Sequence, residues 1–482
     1  MFDIVHHTSP LRRQHTNQFR RDLKYAKRWE GDVVETRPLG NKEQLLNHLH
    51  ARRGLITVQV LHVRGRLDPI LVKQALAWLQ TQHPILRAHI RYGKIIWRRL
   101  PPFAHREPWF DTEGTTEIPL RVLEDADPDA WRKVMASEIR TPIPKGNHPR
   151  LRITMVRQSP DADLNHIVMC ADHATLDAHS ANMLGHRLLE FLAEPAAPQS
   201  KSPTRTALPP PVEAGSAGKS GTDGKTTYTP AIRLPKQAIP EPKEESRVLA
   251  RRLDPDTTAR LEDAIKANRT TVHGAITAAF LLAIRERYRL DTMTVLSTVD
   301  LRRFGELALP DETCGCYADI LRTEHSITDD FWATARDASF KLIAALAKDR
   351  EAASIMEFPD WEVYRREVRP TIRNNRRIDG LGVTTVGESG LRSGYGAYTL
   401  EDVTRAVSLD MFGPSLFVIA NTWLGGLELS VAYAATAMSD DEVRWLTGNA
   451  VARLESAGRD RRAERGTASV TQEVPEGPIG RA

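Results

Sequence analysis

The run Asn165-His-Ile-Val-Met-Cys-Ala-Asp-His-Ala-Thr-Leu-Asp177 decides how this chain is read. Residues 166–171 are largely apolar and suit a buried strand, which then delivers Asp172 and His173 at its end. Asp177 follows four residues after His173, close enough to share a turn with it. An imidazole at a strand end is a candidate general base, and a nearby carboxylate is a candidate brace. Spacing alone carries little weight, because a chain with 16 His should hold about one His-x-x-x-Asp pair by chance. The flanking sequence has to supply the argument.

Upstream, Leu151-Arg-Ile-Thr-Met-Val156 forms a second apolar run, predicted to pair with 166–171 across Ser159-Pro-Asp. Leu55–Val63 reads as another strand, and Asp68 caps a helix marked by Leu71, Ala75, Leu76 and Leu79. Gln82–Ile90 ends that helix and enters a strand, which resumes at Ile95 after a Tyr92-Gly-Lys turn. Met183, Leu184, Leu188 and Leu192 mark the helix after His173.

From 195 to 245, Pro209-Pro-Pro211 and Gly215, Gly218, Gly221 and Gly224 lie among Ser, Thr and Lys, a composition that predicts a mobile crossover without a core. Beyond it, Asp254 starts a helix, Val272–Ile284 carries the apolar face of another, and Met293–Val299 is a strand leading to Asp300-Leu-Arg-Arg303. A helix from Thr328 to about Lys348, strands at 380–387, 415–420 and 427–433, and a capping box at Ser439-Asp-Asp-Glu442 complete the pattern. Strands alternate with helices in both halves, so the class is α/β with mixed sheets. The chain divides into a basic extension (1–36), a first lobe carrying His173 (37–194), the linker (195–245), a second lobe (246–456) and a tail expected to be disordered (457–482).

With 482 residues, 41% hydrophobic and 27% charged, the chain has the composition of a globular protein with a sizeable core. No apolar run reaches the roughly 18 residues of a membrane span, and the first residues lack a secretory pattern; the expected location is the cytoplasm. Three cysteines, Cys170, Cys314 and Cys316, argue against a disulfide framework, and Cys314-Gly-Cys316 has no second pair nearby to complete a zinc site. The net charge of +5 includes seven Lys and Arg between Leu11 and Arg28, a solvated extension without a nucleic-acid motif.

The order of these pieces resembles the chloramphenicol acetyltransferase-like superfamily, which includes condensation domains and polyketide-associated acyltransferases. The family motif His-His-x-x-x-Asp-Gly is matched at its second His (His173) and its Asp (Asp177). Asp172 and Ala178 replace the first His and the Gly. Gly65–Leu76, His83-Pro-Ile-Leu-Arg87, Val272–Ala279, Val299-Asp-Leu-Arg302 and Val383-Thr-Thr-Val-Gly387 resemble family segments in family order.

The resemblance implies two lobes with a tunnel or cleft between them and His173 as general base. It implies that Asp177 pairs with Arg302 to hold the loop, and that Thr384 and Thr385 are the candidate oxyanion donors. Asp172, if it faces the ring, should raise the imidazole pKa. No bound cofactor or metal is expected. The donor is a thioester, on coenzyme A or on the phosphopantetheine of an acyl carrier protein, and the acceptor is a hydroxyl of a lipid or secondary metabolite. An amide-forming condensation enzyme and a non-catalytic carrier-docking homologue are the alternatives, neither involving nucleic acid or an integral membrane segment.

Overall fold

The computed structural model describes residues 36–51, 54–97, 104–196, 207–216, 246–302, 309–352, 380–387, 390–409, 413–435 and 437–468. The basic segment around Arg12–Arg28 lies outside the described residues. In the first half the elements run β1 (Thr36–Pro38), α1 (Asn41–His50), β2 (Ile56–Arg64), α2 (Pro69–Gln82), β3 (His89–Trp97), β4 (Ala104–Asp111), β5 (Leu120–Glu124), α3 (Ala130–Glu138), β6 (Leu151–Arg157), β7 (Leu164–Asp172) and α4 (Ala178–Ala193). In the second half they run β8 (Ser246–Leu253), α5 (Pro255–Ala267), α6 (Val272–Tyr288), β9 (Thr292–Asp300), β10 (Ala318–Ser326), α7 (Phe331–Ala352), β11 (Leu381–Val386), β12 (Gly394–Tyr395), β13 (Tyr398–Val407), β14 (Leu416–Trp423), β15 (Gly426–Ala434) and α8 (Asp440–Ala468).

Two six-stranded mixed sheets result, ordered β12-β13-β2-β7-β6-β5 and β10-β9-β11-β14-β15-β8, beside a small sheet β1-β4-β3. One face of the first sheet packs on α2 and α4 through Leu61, Met169, Leu76 and Leu188, and its other face on α3 through Val60, Val168 and Trp131. The second sheet packs on α6 and α8. Local sequence explains the starts: Asp68 accepts from the amide of Ile70 with Pro69 at the first helical position, and Thr271 accepts from the amide of Gly274. Helix α6 is buried on nearly every side from His273 to Ile284, as an all-round apolar helix must be.

Four features depart from the sequence reading. Residues 394–407, placed by sequence in the second lobe, join the first sheet as β12 and β13, with Thr399 opposite Arg64 and Val407 opposite Thr57. Part of the crossover is packed rather than mobile: Leu208 and Val212 are buried, and the Pro209 and Pro210 carbonyls accept from Arg37 and the Tyr317 hydroxyl. Two apolar side chains flanking three φ-locked prolines suffice to dock that stretch. The Tyr92-Gly-Lys segment is an irregularity inside a continuous β3 rather than a turn. Helix α8 runs through Ser456 to Ala468, with Leu454 and Ala457 still in the core.

Candidate active site

Strand β7 ends at Asp172, and the next four residues turn into α4 with Asp177 as its N-cap. The Asp177 carboxylate accepts from the amide of Ser180 at 2.9 Å, so it is fixed from its own helix. From the second lobe, Arg302 closes on it with both arms: Nη1 to Oδ2 and Nη2 to Oδ1, each 2.9 Å. Nη1 also reaches Asp300 at 3.1 Å, so Arg302 serves two carboxylates. The Tyr317 amide donates to Asp177 at 2.9 Å. Both members of the pair are almost fully buried. Arg302 holds the Asp177 carboxyl down at about 2 despite a burial effect that opposes it.

Segment 313–317 completes a clamp that the sequence did not suggest. The Gly315 carbonyl accepts from the Asp177 amide at 3.2 Å and the Ser180 hydroxyl at 2.9 Å, while its amide donates to Ser180 at 3.0 Å. A Cβ on Gly315 would lie 2.4 Å from the Tyr317 ring, so only glycine fits. Cys314-Gly-Cys316 is therefore a structural contact between lobes. Among the described residues no group of three or more His, Cys, Asp or Glu is arranged to hold a metal ion. All three cysteines are buried free thiols, with burial pushing Cys316 up to about 12.

His173 sits in this turn, its amide donating to the Leu55 carbonyl at 3.3 Å. Its Nδ1 lies 3.5 Å from the Cys316 sulfur, and the ring also meets its own backbone carbonyl. Nε2 has no hydrogen-bond partner among the described residues. Desolvation lowers the imidazole pKa; Asp177 opposes that shift and Lys42 adds to it. The ring is thus neutral at pH 7, with one nitrogen engaged and the other available to take a proton.

Asp172 raises the His173 pKa as its position in sequence suggested, but only weakly, and desolvation of the ring outweighs it. Successive strand residues face opposite ways, and Asp172 turns to the far side. There it accepts from Arg150 Nη2 at 2.6 Å and Nε at 3.0 Å, with His50 3.5 Å away. Its charge is largely matched there, which leaves only a small upward pull on His173 within a net fall set by burial. Arg150 and His50 were not read as site residues. Arg150 was findable, since it precedes β6, whose Leu151 pairs with Ala171, and so stands opposite Asp172. Ala178 occupies the first position of α4 and is not among the residues with positive φ, so the missing glycine costs nothing there.

Thr384 and Thr385 lie on β11, which reaches the first lobe where the Asn182 side chain donates to the Gly387 carbonyl at 3.1 Å. Thr384 is engaged with the Thr298 hydroxyl, whereas Thr385 is exposed. Neither bonds to the His173 turn among the described residues. The remaining histidines of this region have other partners: His166 meets His62 at 2.8 Å, His179 the Asp311 carbonyl at 2.9 Å, and His186 the Tyr395 hydroxyl at 3.0 Å. No described helix is long and apolar enough to cross a membrane.

Residues 242–381 match the family model described as phthiocerol/phthiodiolone dimycocerosyl transferase C-terminus. No curated protein matches the chain. Among solved structures, it is similar to a trichothecene 15-O-acetyltransferase from Fusarium sporotrichioides at 13% identity and a TM-score of 0.66, over 88% of this chain and 96% of that one. A nonribosomal peptide synthetase cyclization-docking bidomain from Sorangium cellulosum aligns at 16% identity and a TM-score of 0.63, over 95% of this chain and 94% of that one. Polyketide synthase associated protein 5 from Mycobacterium tuberculosis aligns at 15% identity and a TM-score of 0.60, over 90% of this chain and 100% of that one. With its two mixed sheets and the strand exchange between them, the chain carries the two-lobed fold of these solved structures.

Proposed function

We propose that the protein is an acyltransferase that moves an acyl group from a thioester, on coenzyme A or on a carrier protein's phosphopantetheine, to a hydroxyl acceptor. One observation carries this reading: a neutral imidazole at the seam of the lobes, with Nδ1 engaged by Cys316 and the turn clamped by Asp177 and Arg302. Nε2 takes the acceptor's proton as its oxygen attacks the thioester carbonyl. The tetrahedral oxyanion collapses, the C–S bond breaks, and the imidazolium returns the proton to the departing thiolate. Thr384 and Thr385 are both candidate oxyanion donors, since the Thr384 hydroxyl accepts from Thr298 and keeps its own proton to donate. Asp177 and Arg302 act on the loop and do not touch the reacting atoms.

The test is thiol release from acyl thioesters on coenzyme A and on a carrier protein, with alcohol and amine acceptors, for wild type and His173→Ala. Acceptor-dependent release that falls about 100-fold or more in the variant supports base catalysis. Unchanged release by folded His173→Ala sinks the assignment. Amines accepted in place of alcohols make it an amide-forming enzyme, and carrier binding without release makes it a docking protein.

A further inference from the structure

Strand β13 carries Arg405 into the first sheet, directly opposite Gln59 on β2. The guanidinium is only 4% exposed, yet Nε and Nη1 have no hydrogen-bond partner among the described residues. Nη2 alone is engaged, by the side-chain oxygen of Asn182, whose nitrogen in turn holds the Gly387 carbonyl of the second lobe. The nearest carboxylates are committed elsewhere: Glu428 accepts from the Thr404 and Ser430 hydroxyls, and Asp402 pairs with Arg252. Gln59, in register with Arg405, is engaged through its amide nitrogen, which donates to the Ala181 carbonyl at 3.3 Å. Burial pulls the guanidinium down to about 10, which still leaves it charged at pH 7.

A buried charge with unfilled donors is costly, and a protein gains by keeping one where a ligand supplies the missing partner. Arg405 is in register with Gln59 and, through it, with Met169 on the strand that leads to His173. Arg405 and His173 are separated by four residues along β7 and two strands across, about 16 Å between Cα atoms by strand geometry. We propose that Arg405, held in place by Asn182, binds the carboxylate of a substrate lying between the lobes and selects acid-bearing over neutral substrates. The inference rests on the acyl-transfer reading for the position of the reacting atom, though not for the existence of the anion site. Its substrate is a chain with a carboxylate on the order of 10–16 Å from the reacting hydroxyl or thioester.

Binding is measured by calorimetry for ω-hydroxy fatty acids and for the parent alcohols, from hexyl to hexadecyl, on wild type, His173→Ala, Arg405→Met and Arg405→Lys. Wild type and His173→Ala should prefer at least one acid over its alcohol by about tenfold or more, a preference that Arg405→Met abolishes and Arg405→Lys keeps in part. The melting temperature of unliganded Arg405→Met should hold or rise, because an unpaired buried charge is removed. Equal preference in Arg405→Met overturns the proposal, as does the absence of preference at every length. A drop in melting temperature without a change in preference also overturns it, by showing a merely structural arginine satisfied by water. Because His173→Ala keeps the anion site, binding by that variant separates failure of this inference from failure of the acyl-transfer reading.

Discussion

Arg302 and Asp177, 125 positions apart in sequence, meet in a bidentate pair with both nitrogen–oxygen distances at 2.9 Å, and this pair ties the second lobe to the turn that carries His173. Removing one partner strands the other as a buried charge, so Asp177→Leu and Arg302→Met alone should each cost about 3–5 kcal/mol. The double variant should cost clearly less than the sum, because both charges leave together. Urea midpoints of the four proteins test this; additive losses would mean the pair is not coupled. The pH sign follows from a depressed carboxyl. Asp177's contribution is present above the unfolded value near 4 and is lost as pH falls toward its folded value of about 2.

The carboxylate beside the candidate base belongs to a second buried cluster, with Arg150 and His50. Asp172→Asn leaves Arg150 without its anion and should lower stability by about 3–5 kcal/mol. Asp172→Asn/Arg150→Met should recover part of that loss. If Asp172→Asn instead melts like wild type, the cluster does not hold the strand end.

Strand β7, the turn after it and Arg302 were legible because their signals are local. An apolar run stops at a His, a carboxylate caps the following helix, and an arginine follows the strand 293–299. Strand β13 was not legible. Its apolar Leu400, Val403 and Ala406 interleave with Glu401, Asp402, Thr404 and Arg405 without a clean alternation, and its partner β2 lies more than 300 residues upstream. The orientation of Asp172 likewise depends on the pairing of β6 with β7, which fixes which side of the sheet each residue faces. Arg405 could not be singled out from sequence, since only packing reveals an arginine whose donors are unfilled.

Burial lowers the His173 pKa, with Asp177 opposing and Lys42 assisting. On the acyl-transfer reading, kcat/KM should therefore stay on its plateau at pH 7 and lose activity on the acid side with an inflection below the usual 6.5. A pH–rate profile with saturating donor checks this. An inflection above 6.5 would show that the ring is stabilised in its charged form, contrary to its surroundings.

Acid should unfold this protein early. Burial lowers His50, His166 and His273 to about 4 and His62 to about 3. Their folded values lie below the unfolded one near 6.5, so the unfolded chain takes up protons first as pH falls. The stability they carry as neutral groups is complete above 6.5, declines as pH drops through that value, and stops declining once the folded values near 4 and 3 are passed. Melting temperatures from pH 8 to 4 should fall most steeply below 6.5. A flat curve down to pH 5 would contradict burial of these rings as neutral groups.

Gly315 offers the most economical test of the interlobe clamp. Its carbonyl and amide hold Asp177 and Ser180, and the space for a Cβ is taken by the Tyr317 ring. Tyr317 has little room to give, being buried with its hydroxyl tied to the Pro210 carbonyl at 2.7 Å and its ring 5.0 Å from the Arg302 guanidinium. Gly315→Ala should therefore move the 313–317 segment and loosen the turn under His173, at a cost of about 1–3 kcal/mol. Ala178→Gly, at the first position of α4, relieves no strain and should change stability by no more than about 1 kcal/mol. Measured together by urea denaturation and thiol release, Gly315→Ala should lose both stability and rate, while Ala178→Gly keeps its rate near wild type. A Gly315→Ala protein of wild-type stability and rate would show that the clamp does not position His173.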